Sequence, residues 1–291
     1  MDNTKGILLM LAAMVGFSLE DMFIKSMTAG LPVSQVLMFI GMGGILAFAA
    51  LTLMQRGTLA PLVHRDMRSG AMLWRNLTEG GSTIFFITAL SLVPLGTVAA
   101  VFQATPLAVT AGAALFLGER VGWRRWSAIF VGFIGVLMII RPGAQAFDTN
   151  ALLPLVAVFG IAARDLITRG LKPDIPSTSV AFYGFAAVFA AGVLMVPVSG
   201  ALAWPTPTGW LYVIGAVTFG VGGYYAIVLA MRTADASAVM PFRYSRLVFS
   251  LALGVLIFDE IPDGWTLLGA AIVIGTGIYT FIRERQAQRV R

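Results

Sequence analysis

The chain carries one pattern twice, and the number of helices in each copy restricts the fold more than any motif. Leu8, Leu9, Leu11, Ala13, Gly16 and Asp21 recur 144 positions later as Leu152, Leu153, Leu155, Ala157, Gly160 and Asp165, and Lys25 and Pro32 recur as Arg169 and Pro176. Gly81, Ala89-Leu90 and Glu119 recur at an offset of 141 as Gly222, Ala230-Met231 and Glu260. Trp123, Ala128 and Gly135 fall on Trp265, Ala270 and Gly277 at 142, a drift that short loop insertions produce. A period of half the chain is a duplicated unit, not a solenoid array.

The unit is a membrane unit. Of 291 residues, 58% are hydrophobic and 12% are charged, against about 25% charged in a soluble domain. That leaves too little polar surface to cover a globule in water. Apolar segments of about 20 residues, long enough for a ~30 Å hydrocarbon core, lie near 5–27, 33–54, 70–92, 96–117 and 124–140, and again near 151–170, 177–198, 208–231, 236–258 and 264–282. Turn residues separate them at 30–32, 93–96, 173–176 and 204–207. Residues 1–27 lack a small-residue cleavage pattern and carry Glu20 and Asp21 late in the span, so we expect a retained helix and not a cleaved signal.

Five crossings per copy is an odd number, so the second copy must enter the membrane from the other side. We therefore expect an all-α integral membrane fold of ten helices, in two inverted five-helix repeats around a central cavity. Residues 1–141 and 150–283 form the repeats, and 284–291 a basic cytoplasmic tail. Inverted repeats of this kind are the plan of many secondary transporters, with the substrate near the midplane between the halves. Charge bias gives the orientation. With the N-terminus inside, fourteen Lys and Arg (from Lys5, Arg56, Arg65 and Arg68 through Arg120, Arg124, Arg125, Lys172 and Arg232 to Arg283, Arg285, Arg289 and Arg291, with Arg169) fall on the inner side, against Arg141 and Lys25 outside. Both termini are expected in the cytoplasm, with the chain multi-pass in the cell inner membrane. The net charge of +6 follows from this bias and does not point to a nucleic-acid partner.

Glu20, Asp21, Arg75, Glu79, Arg164, Asp165, Arg243 and Arg246 remain inside the spans. Facing lipid, each would cost about 3 kcal/mol or more, so they are expected to face the bundle interior and pair. Asp21 and Lys25 stand four apart, acid first, as do their mates Asp165 and Arg169, an order favourable on a helix. They read either as gates, one at each mouth of a pathway, or as intrahelical pairs whose basic members snorkel. Arg75 reads as structural near the cytoplasmic surface, and Glu79 either neutralises an arginine or lines the cavity. Arg243 and Arg246 match Phe102 and Thr105 of the first copy, so the duplicated unit did not supply them. They read as ion-pair partners or as a bidentate clamp for a substrate carboxylate. Pro241 and Pro106 free the carbonyls of Ser237 and Phe102 and allow bends. Gly220, Gly222 and Gly223 read as packing glycines, and Tyr224 offers a hydroxyl to a cavity. With no cysteine, one histidine (His64, in a loop), no phosphate-binding lysine loop and no HExxH, the sequence offers no cofactor or metal site and argues against an enzyme.

The motif Ala89-Leu90…Gln103-Ala-Thr-Pro-Leu…Leu117-Gly-Glu-Arg120, with Phe258-Asp-Glu260 and Leu268-Gly-Ala-Ala-Ile-Val-Ile-Gly275 in the second copy, resembles the drug/metabolite transporter superfamily and its EamA-type exporters. In detail it is similar to YddG-type aromatic amino-acid exporters. The resemblance implies a helical basket, alternating access and amino acids or related metabolites as cargo, with Glu119 and Glu260 as caps or loop anchors. On that basis we expect an amino-acid exporter, monomeric in the bilayer, with its site among helices 1, 3, 4, 6, 8 and 9. Arg246 or Arg243 would take the carboxylate and Glu79 or Glu20 the amino group. Gln103, Tyr224 and Tyr244 would add polar or stacking contacts, and Asp21, Lys25, Asp165 and Arg169 would gate. Lipophilic cations, nucleotide-linked metabolites and a lipid scramblase are the competing readings.

Overall fold

A computed structural model describes residues 2–63, 69–119, 121–142, 148–171, 175–234 and 236–289. His64, Arg65, Arg68, Arg120, Lys172, Pro173 and Arg291 lie outside the described residues, as do the side chains of Arg285 and Arg289. The described residues fold entirely as helices joined by short turns. They are α1 (Asn3–Thr28), α2 (Val33–Arg56), α3 (Gly70–Leu92), α4 in two pieces (Leu95–Phe102 and Thr105–Phe116), α5 (Trp123–Ile140), α6 (Leu153–Arg169), α7 (Ser177–Ser199), α8 (Pro207–Thr233), α9 (Ala236–Val239, a 3-10 turn Met240–Tyr244 and Ser245–Phe258) and α10 (Gly264–Arg289).

Local chemistry sets the ends. Asp2 accepts from the Lys5 amide at 3.0 Å to cap α1, Ser69 from Met72 at 3.3 Å to cap α3, and Thr206 from Gly209 at 3.0 Å to cap α8, each taking an amide left without a helical partner. Gly57, at φ +68°, turns the chain out of α2 in the left-handed conformation. Nine of the ten described helices are apolar and long enough to cross a bilayer, when each broken helix is taken whole. The exception, α3, turns Leu73, Trp74 and Leu77 outward while Arg75 and Ser82 are buried. Its polar residues face protein, as the cost of lipid-exposed charge requires.

The chain is an inverted-repeat membrane protein whose halves interleave. α1 packs on α8, and the equivalent pair α6 packs on α3; α2 packs on α7, α4 on α9 and α5 on α10, pairs that the pseudo-two-fold maps onto themselves. Each of these contacts joins one copy to the other, so neither five-helix unit is a separate body. Between lipid-solvated helices close packing has to supply the adhesion, and small residues permit it. A side chain on Gly16 would come within 3.2 Å of the Gly223 Cα, and one on Gly135 within 2.9 Å of the Gly269 carbonyl.

The spans at 96–117 and 236–258, where Pro106 and Pro241 allow bends, both break. In α4, Pro106 sits in the first turn of the second piece and leaves the Phe102 carbonyl without its helical donor; the Thr105 hydroxyl donates to that carbonyl at 2.6 Å. In α9, Pro241 is the second residue of the 3-10 turn Met240–Tyr244. The breaks meet, because the Gln103 side-chain amide donates to the carbonyl of Tyr244, its own counterpart in the second copy, at 3.1 Å.

Candidate functional site

A cavity of about 270 Å³ lies between α1–α4 and α6–α9, near the lower end of the ~300–1,000 Å³ usual for ligand pockets. α2 contributes Ile40 and α7 contributes Phe185 and Val188, so the wall draws on two helices beyond those expected. Its charged residues are Glu20, Asp21, Arg75, Glu79, Arg164 and Arg246, and its rings are Phe17, Phe86, Phe102, Phe185 and Tyr224.

Two closed charge networks occupy most of that polar surface. Arg246 donates to both carboxylate oxygens of Asp21, with Nη2 2.8 Å from Oδ1 and 2.6 Å from Oδ2 and Nε 3.2 Å from Oδ2. The guanidinium carbon lies 5.3 Å from the Phe17 ring centre and 5.5 Å from that of Phe102, within cation–π range. Ser18 donates to the Arg246 carbonyl at 3.1 Å and accepts from Ser250 at 3.1 Å, tying α1 to α9 beneath the pair. In the second network Glu79 receives Arg75 on one oxygen at 2.6 Å and Arg164 on the other at 2.8 Å, while Arg164 also reaches Asp165 at 2.8 Å. Gly184 makes room for Arg75, since a side chain there would press on its Nη1 at 2.5 Å.

These contacts change several expectations. Of the residues expected to touch cargo, Arg246, Glu79, Glu20 and Tyr224 line the cavity; Arg243, Tyr244 and Gln103 do not. Arg243 is exposed on the 3-10 turn with Met240 Sδ 3.9 Å from its Nη1, and the Tyr244 hydroxyl turns toward Gly277 of α10. Gln103 spends its amide on the Tyr244 carbonyl. Arg75, read as structural near the surface, is buried in the cavity wall. Arg164 and the rings of Phe17, Phe86, Phe102 and Phe185 were missed as site residues. The available signal was Arg164 itself, an in-span base with no assigned partner, beside Glu79, which was already expected either to neutralise an arginine or to line the cavity.

Of the i, i+4 pairs, Arg75–Glu79 forms, but Asp21–Lys25 and Asp165–Arg169 do not. Asp21 turns to Arg246, and Lys25 crosses to the other repeat, 2.9 Å from Glu260, while donating to the carbonyls of Val93 at 2.7 Å and Leu90 at 3.2 Å. Glu260 in turn accepts from the Leu95 amide at 2.6 Å, which caps α4 and agrees with an anchoring role for that glutamate. The equivalent contact at the face bearing the termini is Arg169 with Glu119, at 3.6 Å. Side-chain exposures are 13% and 18% for the first pair and 53% and 45% for the second, so the far-face contact is shielded and the terminal-face contact exposed. Arg141 and Asp263 form a further ion pair at the far face between α5 and α10.

Sequence comparison gives this architecture a family. The model of the EamA-like transporter family matches residues 4–141 and 149–282. A riboflavin transporter of Vibrio cholerae is 36% identical over 189 residues, 62% of this chain, and the match spans 61% of the Vibrio protein. An S-adenosylmethionine uptake transporter of Rickettsia conorii is 30% identical over 234 residues, covering 79% of this chain and 75% of that protein. One crystal structure superposes with a TM-score of 0.60 at 19% identity, covering 94% of this chain and 98% of that one, a likeness of fold. With both repeats matched, the chain belongs to the EamA-like transporter family and is a multi-pass membrane transporter of small molecules, not an enzyme.

Proposed function

We propose that the chain carries a planar, ring-bearing metabolite of the flavin or adenosyl class across the cell inner membrane by alternating access, with both termini cytoplasmic. The observation that carries this reading is the cavity wall. Five aromatic rings bound it, and its three arginines already hold carboxylates. Such a wall offers stacking surfaces, worth about 0.5–1.5 kcal/mol per ring pair beyond burial, and few free donors. The riboflavin and S-adenosylmethionine carriers among its relatives both handle heteroaromatic rings, which agrees with it. The fourteen-to-two charge bias supports the orientation.

Movement follows from the two cross-repeat ion pairs. Each joins the basic residue ending the first helix of one repeat to the glutamate after the fourth helix of the other. Breaking Lys25–Glu260 while tightening Arg169–Glu119 exchanges like for like, so the two access states differ by only a few kcal/mol. Net direction then follows the gradients across the membrane.

Export of amino acids, aromatic ones included, is the second reading, and the same rings favour it. It loses its expected carboxylate clamp, because Arg246 is held by Asp21. Purified protein in liposomes, offered labelled riboflavin, S-adenosylmethionine and phenylalanine, separates the two. Movement of a flavin or adenosyl compound without phenylalanine is expected. Movement of phenylalanine alone selects amino-acid transport, and movement of none of them removes both.

A further inference from the structure

One charged group in the cavity is left over. Arg246 is held by Asp21, and Arg75 and Arg164 share Glu79, with Asp165 completing Arg164. Glu20 also lines the cavity, yet it makes no ion pair and no hydrogen bond among the described residues. Its charged neighbours, Asp21 and Arg246, are bound to each other. The carboxylate lies against α8 at Gly220, where any side chain would overlap it, so this glycine leaves the space that Glu20 fills. The Phe17 ring stands one helical turn away on the same helix and also faces the cavity.

An anion in a water-poor interior needs a counter-charge, because burial penalises an uncompensated ion far more than a paired one. The protein supplies every other charge in this wall with its partner and leaves this one to the occupant. Resting on the ring-bearing cargo proposed above, we infer that Glu20 is the counter-ion for a cargo with a fixed positive charge, a sulfonium, near its ring. Arg246 and Arg243 do not oppose this: the first is neutralised within the wall and the second stands outside it. The neighbouring rings add cation–π attraction for the same charge. Glu20 thereby selects between the two cargo chemistries and favours an adenosyl sulfonium over a neutral flavin.

S-adenosylmethionine and S-adenosylhomocysteine test this directly, because they share the adenosyl ring and differ in the charged sulfur. In liposomes the native chain should take up the sulfonium roughly tenfold to a hundredfold better than the thioether, the size expected for one charge-assisted contact. Glu20→Gln should bring that ratio close to one, and Glu20→Asp should keep most of it. Glu20→Gln should also leave the melting temperature of the cargo-free protein unchanged or raised, since it removes an uncompensated charge; a fall would mark Glu20 as structural and overturn the inference. Equal uptake of both compounds by the native chain, or a preference that survives Glu20→Gln, would overturn it while leaving the ring-bearing reading intact. Riboflavin uptake accompanied by proton movement that Glu20→Gln abolishes would overturn it in favour of a proton as the counter-ion. If neither adenosyl compound nor riboflavin moves, the ring-bearing reading itself fails.

Discussion

Lys25 of the first repeat lies 2.9 Å from Glu260 of the second, and their counterparts in the duplicated unit, Arg169 and Glu119, face each other at 3.6 Å on the opposite side of the molecule. The first contact is half-buried and reinforced by two carbonyls and a helix cap, while the second is exposed. Exposed pairs contribute about 0–1 kcal/mol; removing one partner of a desolvated pair costs more, because the other is left unpaired. Lys25→Gln should therefore bias the chain toward opening at the far face. A shift of about 2 kcal/mol changes the ratio of the two states roughly thirtyfold. A cysteine placed at Thr83 in the cavity of this naturally cysteine-free chain should react several-fold faster with an impermeant maleimide added on that side. The swapped pair Lys25→Glu with Glu260→Lys should restore the slow rate only in part, because a glutamate at 25 cannot donate to the Leu90 and Val93 carbonyls and a lysine at 260 cannot accept from the Leu95 amide.

The Asp21–Arg246 pair predicts a stability phenotype and not a simple transport phenotype. Arg246→Ala would strand Asp21, whose side chain is 3% exposed, and should cost about 3–5 kcal/mol. Thermal unfolding in nanodiscs measures this. Asp21→Asn with Arg246→Gln removes both charges and should recover most of the loss. The double variant should also bind cargo within about tenfold of the native chain if the arginine does not clamp cargo.

Gly223 and Gly222 are adjacent but should respond oppositely to alanine. A methyl on Gly223 would meet the Ala13 carbonyl and the Phe17 ring at 3.2 Å, whereas at Gly222 nothing lies within 4 Å. Gly223→Ala should lower stability by about 1–3 kcal/mol through forced separation of α1 and α8. Gly222→Ala should be neutral or stabilise by up to about 1 kcal/mol, as expected for alanine replacing glycine inside a helix. Melting temperatures of the two variants make the comparison.

Gln103 joins the two helix breaks and does not line the cavity. Gln103→Ala should cost about 0.5–1.5 kcal/mol, the contribution of one hydrogen bond, and leave cargo affinity within about twofold. A large loss of affinity without loss of stability would mean that the side chain reaches the cargo.

Much of this architecture was readable because it depends on periodicity along the chain. Helix number, inversion and the bends at Pro106 and Pro241 follow from apolar length, an odd count and a missing amide. Partner choice followed local spacing for Arg75 and Glu79 but not for the other charges, because it depends on how helices are rotated and which neighbours they meet. Asp21 and Lys25 have favourable i, i+4 spacing, but Arg246 offers Asp21 a bidentate fork, and Glu260 with two carbonyls offers Lys25 three acceptors. The inverted topology did contain a hint, since it brings Lys25 and Glu260 to one face and Arg169 and Glu119 to the other. The difference between Gly222 and Gly223 had no sequence signal, because both lie in one run and only the packing of α1 separates them. Arg243 and Arg246 also looked alike in sequence; the 3-10 turn containing Pro241 leaves one exposed and the other against α1.

Paired contacts of this kind should make the two faces open reciprocally. The most direct measurement is of two spin-label distances in nanodiscs, in separate cysteine pairs: Ala29 with Ile261 at the far face, and Leu117 with Gly170 at the terminal face. Reciprocal opening gives two populations at each face, shifting in opposite directions when cargo is added or when Lys25 is replaced by Gln. Distances that stay single and unchanged, or that lengthen together at both faces, would contradict it.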